Sequence, residues 1–208
     1  MTTNKNPGIY VHIPFCVRKC NYCAFLSGAS DEAMRERYVK ALCEEIRIRA
    51  RLMSDHAHGV FDTIFFGGGT PSTLKAESLI EVLDAIRSFF DVTDDCEITL
   101  EANPGAVSEA YLSKLHDAGF NRLSMGCQSF SDDVLKTLGR IHRSNDARES
   151  FAAARAAGFD NINLDLMFSV PGADEDVWQD TLDQMLELSP EHISFYSLQI
   201  EEETPLYD

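Results

Sequence analysis

Cys16, Cys20 and Cys23 sit together in the stretch "CVRKCNYC", three thiols at steps of four and three residues. Thiolates so spaced are ligands for zinc or for an iron–sulfur cluster. Either group is completed by four ligands, and the trio stops at three. One solution recruits a fourth ligand from elsewhere, and a zinc ion with His12 is that case. The other leaves a position open: three thiolates hold three irons of a [4Fe–4S] cluster, and the fourth iron takes an exogenous ligand. Pro14, just upstream, disfavours helix, and a loop curls three sulfurs around a cluster more readily than a helix does.

Further polar residues interrupt apolar runs. "FFGGGTPS" (65–72) closes one run in three glycines. Gly67, Gly68 and Gly69 let backbone approach a ligand closely, and bare N–H groups there suit a ligand's amino or carboxylate group. In "LEANPG" (100–105), Glu101 sets a carboxylate at a strand end, fit for a cationic or hydroxylated ligand, before Pro104-Gly105 turns the chain away. Gln128 in "GCQSF" and Asp165 in "NLDLM" are polar among apolar neighbours and need partners, for which a ligand is one candidate. Arg140 and His142 in "LGRIHRS" can pair with a ligand carboxylate or with nearby acids. His56 and His58 read as loop residues, and His116 and His192 as ordinary helix and strand-start positions. Cys43, Cys96 and Cys127 lie apart and read as small buried hydrophobes. The chain has no Ser-His-Asp order and no phosphate-binding Gly-Lys-Ser/Thr loop.

These residues must be positioned by a strand–helix alternation. Apolar runs at 8–13, 62–66, 97–102, 122–127, 162–168 and 192–200 predict six strands. Between them, Met34, Tyr38, Leu42, Ile46, Ala50 and Met53 mark one face of a long helix. Leu79, Val82, Leu83, Ile86 and Phe90 mark a second, and Trp178, Leu182, Met185 and Leu186 a later one, closed off by Pro190. Ser108 is an expected N-cap, with Gly119 just past its helix. "DAGFNRLSM" and "AAGFDNINL" repeat one helix-to-strand passage. Alternation of this kind implies parallel strands, either in an open doubly wound sheet or in part of a (β/α) barrel. Polar or glycine residues at strand ends, namely Gly67 to Thr70, Glu101, Asn103, Gln128, Asp165 and Gln199, favour the barrel, whose C-terminal edge carries chemistry.

The composition bounds the rest. The 208 residues suffice for one domain, 1–208, with a sizeable core. Lys and Arg number 18 against 34 Asp and Glu, a net charge of -16 that repels phosphate backbones and speaks against nucleic-acid binding. "MTTNKNPGIYVHIPF" holds no apolar run long enough for a signal peptide or membrane span, so the expected compartment is the cytoplasm, where thiols stay reduced.

Taken together, "IYVHIPFCVRKCNYC", "FFGGGTPS", "LEANPG", "RLSMGCQSF", "LGRIH" and "NINLDLMFSVPG" resemble the radical S-adenosylmethionine (SAM) superfamily. Within it they resemble the branch of oxygen-independent coproporphyrinogen III oxidases and HemW-type heme chaperones, over roughly residues 8 to 204. The resemblance implies an α/β fold, a partial (β/α)6 TIM-like barrel, with the family's C-terminal region missing. It implies a [4Fe–4S] cluster on Cys16, Cys20 and Cys23, whose open iron chelates SAM and whose reduction yields methionine and a 5′-deoxyadenosyl radical. Tyr10, Tyr22, Gly68, Gly69, Thr70 and Glu101 would lie around SAM, and Gln128, Arg140 and Asp165 would line the deeper ligand site. Heme or a porphyrin, a flavodoxin or ferredoxin electron donor, and heme-recipient proteins are the partners it implies. The oxidases typically carry a further cysteine two residues past the third and a longer N-terminal arm. Here that position is Phe25, and 15 residues precede Cys16, both favouring a chaperone that binds and delivers heme over an oxidase that decarboxylates propionates. HemW-type sequences commonly read Cys-Pro-Tyr-Cys-Asp-Phe, where this chain has Asn21 and Ala24.

Overall fold

The fold was obtained as a computed structural model that describes residues 6–53 and 59–207. His56 and His58 lie outside the described residues. Six strands, β1 (Gly8–Ile13), β2 (Phe61–Gly68), β3 (Val92–Ala102), β4 (Arg122–Gln128), β5 (Ile162–Phe168) and β6 (His192–Ser197), form one sheet. All five pairings are parallel, and the strands stand in the order of the sequence. That order decides between the two architectures. A doubly wound sheet reverses direction at a switch point and takes helices on both faces. Six strands added always on the same side, with right-handed crossovers, put every helix on one face. The protein is therefore a (β/α)6 TIM-like array in which β1 and β6 are edges.

The helices are α1 (Glu32–Met53), α2 (Ala76–Phe89), α3 (Glu109–Asp117), α4 (Asp132–Thr137), α5 (Ser144–Ala156) and α6 (Glu175–Leu188), with a 3-10 turn at Pro71–Thr73. Their starts are written locally: the side chains of Asp31, Ser108 and Asp174 accept hydrogen bonds from the amides of Met34, Tyr111 and Val177. The repeated Ala-Gly-Phe passages also share geometry. Gly119 and Gly158 take φ of +104° and +100°, and the next amides, Phe120 and Phe159, reach back to Leu115 and Ala154. Both phenylalanines are thereby turned into the core.

Period-two alternation sorts the strand residues onto two faces. Val11, Ile13, Ile64, Phe66, Ile98, Leu100, Leu123, Met125, Leu164 and Leu166 are buried beneath the helices, among Leu79, Leu83, Ile86, Leu112 and Leu115. Their neighbours His12, Gly67, Glu101, Ser124, Asn163 and Asp165 face the other way. That inner face is a polar lattice: Asn163 Nδ2 donates to Ser124 Oγ and Asp165 Oδ1, while Ser194 Oγ donates to Asn163 Oδ1. The stripe expected on α1 holds in its middle and fails at its ends. Ile46 is buried, Tyr38 and Leu42 pack partly against the core, Val39 and Cys43 join them from the adjacent positions, and Met34 and Met53 are exposed. Leu186 on α6 is likewise exposed. Cys96 and Cys127 are buried as expected, whereas Cys43 is half-buried.

Candidate functional site

The chain leaves β1 at Ile13 and forms a loop that is closed at its base. Phe15 bridges Gly28, the Cys16 amide donates to Gly28 O at 2.9 Å, and the Gly28 amide donates to Pro14 O at 3.0 Å. Cys16, Cys20 and Cys23 are all carried within this loop and are free thiols. A second loop clamps it: the Asn21 amide donates to Leu138 O, Asn21 Nδ2 to Thr137 O, and Arg18 Nη2 to Gly139 O. Gly139 takes φ +72°, and a Cβ there would lie 2.9 Å from the Asn21 backbone nitrogen. Only glycine lets the two loops meet so closely.

The glycine loop after β2 serves a different end from the one its sequence suggests. Its amides are not bare. Gly68 N donates to Glu101 Oε2, Gly69 N to Ile13 O and Thr70 N to Phe15 O. A Cβ on Gly69 would stand 2.7 Å from Phe15 O. The glycines thus press this loop onto the root of the cysteine loop, where Thr70 Oγ1 lies 3.7 Å from Cys16 Sγ.

One cavity of about 470 Å³ collects these parts, within the range of small-molecule sites. Cys16, Cys20, Tyr22, Cys23, Gly68, Gly69, Thr70, Glu101, Gln128, Arg140 and Asp165 all line it. Tyr10 does not. Its ring stacks on Phe65 and its hydroxyl meets His12 Nδ1. His12 is also absent from the lining, its Nε2 buried without a partner. His142 is buried on Cys127 O, and burial beside Arg140 lowers its pKa to about 4, so it is neutral.

Several lining residues were not singled out as site residues from sequence. Asn103 bridges Arg140 Nη2 and Thr70 Oγ1. Tyr196, from β6, donates its hydroxyl to Gln128 Oε1 at 3.0 Å. Gln128 itself takes φ +68° at a register shift between β4 and β5, a strained conformation that turns its side chain into the site. Asn103 shares a motif with Glu101 and could have been found from it. Nothing local marks Tyr196.

Electrostatics divide the cavity. Arg140 is fixed by Asn103 and by Gly126 O at 2.6 Å, and its Nη1 lies 3.4 Å from Cys20 Sγ. Its Nε is buried without a protein partner, a donor that a ligand acceptor would satisfy. In the same cavity, burial pushes the carboxyl of Glu101 up to about 7, with Asp165 adding repulsion against the Gly68 amide. Burial raises Asp165 as well, and the Cys23 thiol, both against nearby hydrogen bonds. The site therefore brings a cation, three thiols and two reluctant carboxyls to one cavity.

Among the described residues, no three His, Cys, Asp or Glu side chains converge as a single metal ion requires. Three soft donors around a roomy cavity, with an unpartnered donor and polar groups beyond, fit a polynuclear cluster with an adjoining organic ligand.

Comparison with known proteins agrees. Residues 10–185 match the family model described as the radical SAM superfamily. The heme chaperone HemW of Haemophilus influenzae is 42% identical over 198 residues, covering 94% of this chain and 52% of that protein. HemW of Escherichia coli is 40% identical over 200 residues, covering 94% and 51%. The chain thus spans about half the length of the curated relatives it matches. The solved coproporphyrinogen III oxidase HemN of Escherichia coli, a radical SAM enzyme, superposes with a TM-score of 0.85 at 30% identity, covering 94% of this chain and 45% of that one. With the cysteine loop, the sequential parallel strands and the family match falling on the same residues, the chain belongs to the radical SAM superfamily.

Proposed function

We propose that this chain is the radical SAM core of a HemW-type heme chaperone that works in the cytoplasm. Cys16, Cys20 and Cys23 hold the [4Fe–4S] cluster. Tyr22, Gly68, Gly69, Thr70 and Glu101 surround SAM, and Gln128, Arg140 and Asp165 line the deeper part of the same cavity. A reduced cluster held there would supply one electron to SAM, the chemistry by which its C–S bond would be cleaved. The protein's own contribution is arrangement. The paired loops fix the three sulfurs, Arg140 orients an anionic ligand group, and Glu101 and Asp165 receive polar or cationic ones.

The observation that carries the chaperone reading is Phe25. It lines the cavity beside Cys23 and is 69% exposed, at the position where the oxidases typically bring a further cysteine. An apolar ring there suits the face of a porphyrin, with heme delivered to a recipient protein. The relatives named heme chaperones, at 42% and 40% identity, support the same assignment over the oxidase structure at 30%. The oxidase is the second reading, favoured by the closeness of that superposition.

The test uses the gene-encoded protein, reconstituted without oxygen and given reductant, SAM and coproporphyrinogen III. We expect no decarboxylated porphyrin and, in parallel, a saturable absorbance change on titration with heme. Porphyrin product at catalytic turnover would make the protein an oxidase despite Phe25.

A further inference from the structure

A second groove, of about 590 Å³, runs along the cysteine loop and shares only Arg18, Lys19 and Arg140 with the cavity. Its walls carry five cations, Arg18, Lys19, Lys136, Arg140 and Arg143, against two carboxylates, Asp132 and Asp133. In a chain whose net charge is -16, this is a local reversal of sign. Among the described residues, Arg18, Lys19, Lys136 and Arg143 form no salt bridge, so their charge is available to an incoming surface. Val17 and Ile141, 63% and 54% exposed, supply apolar contact beside them. Both line a small adjoining cavity that reaches Cys20. Apolar residues with a ring of cations are the anatomy of a protein interface.

We propose that this groove docks an acidic one-electron carrier protein that reduces the cluster. The inference rests on the reading that Cys16, Cys20 and Cys23 hold a redox cluster. Three observations carry it. Lys19 is the residue before Cys20, so a carrier seated on Lys19 lies one residue from a cluster ligand. The hydrogen bonds from Arg18 and Asn21 to the 137–140 turn join the two walls, so the groove is preorganised. And the acidity of the remaining surface repels an acidic carrier from other faces, which turns one basic groove into a selective landing site. In the transfer the carrier loses one electron and the cluster gains it, and no bond is made or broken. A nucleic acid is disfavoured, because its charge would extend past the groove onto the acidic surface.

The experiment mixes anaerobically reconstituted protein with a fully reduced acidic flavodoxin and follows the paramagnetic signal of the reduced cluster. Each rate is divided by the rate with dithionite, which needs no docking. The double reversal Lys136→Glu with Arg143→Glu leaves the cysteines and Arg140 untouched. It is expected to lower this ratio about tenfold or more at low ionic strength. With the unmodified protein, the flavodoxin-driven rate is expected to fall as salt is added. A ratio unmoved by the reversal, or a rate that is flat or rising with salt, would overturn the proposal. So would tight groove-dependent binding of an oligonucleotide with flavodoxin-driven reduction unchanged. A protein with no dithionite-reducible signal would contradict the cluster reading itself, and the docking proposal with it.

Discussion

Glu101 shows what a single residue contributes and what it costs. Its carboxyl accepts from the Gly68 amide, yet burial and Asp165 lift its pKa from 4.5 to about 7. An acid raised in the folded state binds more protons than its unfolded counterpart between those two values, so the ligand-free protein loses stability as pH rises from about 4.5 to 7. Glu101→Gln is therefore expected to flatten that slope and to be the more stable protein at pH 8, by roughly 1–2 kcal/mol after discounting for its partial exposure. Thermal melts of both proteins across this range check it, and equal slopes would refute it. At this scale the sequence marked most of the residues that line the cavity. Cysteine chemistry is declared by type and spacing, and a lone acid among apolar strand residues announces a partner. Tyr10 stands outside the cavity's lining, since alternation tells which face a residue joins but not which of its neighbours it turns toward. Tyr196 was missed for the opposite reason, since its partner Gln128 is 68 residues away.

At the level of elements, the strand and helix order could be read from periodicity, and the Ala-Gly-Phe repeat was correctly a structural repeat. Helix α4 was missed because six residues, Asp132–Thr137, are too few to show a period. The pairing of the cysteine loop with the 137–140 turn was also hidden, because Asn21 and Arg18 make it with carbonyls 116 and 121 residues away, and neither residue type announces such a partner. Its exception is Gly139, which separates two effects experimentally. Gly139 and Gly172 both take positive φ, at +72° and +85°, but only Gly139 has a neighbour, Asn21, within contact distance of a Cβ. Either alanine substitution costs about 1–2 kcal/mol for the left-handed backbone. Gly139→Ala should in addition displace the cysteine loop and lower iron and sulfide content at least twofold, while Gly172→Ala leaves them intact. Equal loading of the two variants would show that the turn does not shape the cluster loop. In the core, Ile64→Ala, at a fully buried position of β2, should cost about 2–5 kcal/mol in chemical denaturation.

For the whole molecule, one face of the sheet is given to helices and the other to the polar cavity, and parallel strands in sequential order make that division possible. Composition foretold the acidity but not its uneven distribution, because the basic groove is assembled from residues 18–19 and 136–143, distant in sequence. A net charge of -16 also strains the compact state by self-repulsion. Raising salt from low to moderate ionic strength is thus expected to raise the melting temperature at pH 8, and a fall would contradict this. The account rests above all on three cysteines holding a cluster with one iron open to SAM. The most direct measurement is electron paramagnetic resonance of the reconstituted, reduced protein before and after SAM is added, with iron, sulfide and zinc analysed in the same sample. The account predicts about four irons and four sulfides per chain, and a signal whose g-values move on SAM addition. Zinc without sulfide, or a cluster signal indifferent to SAM, would contradict it.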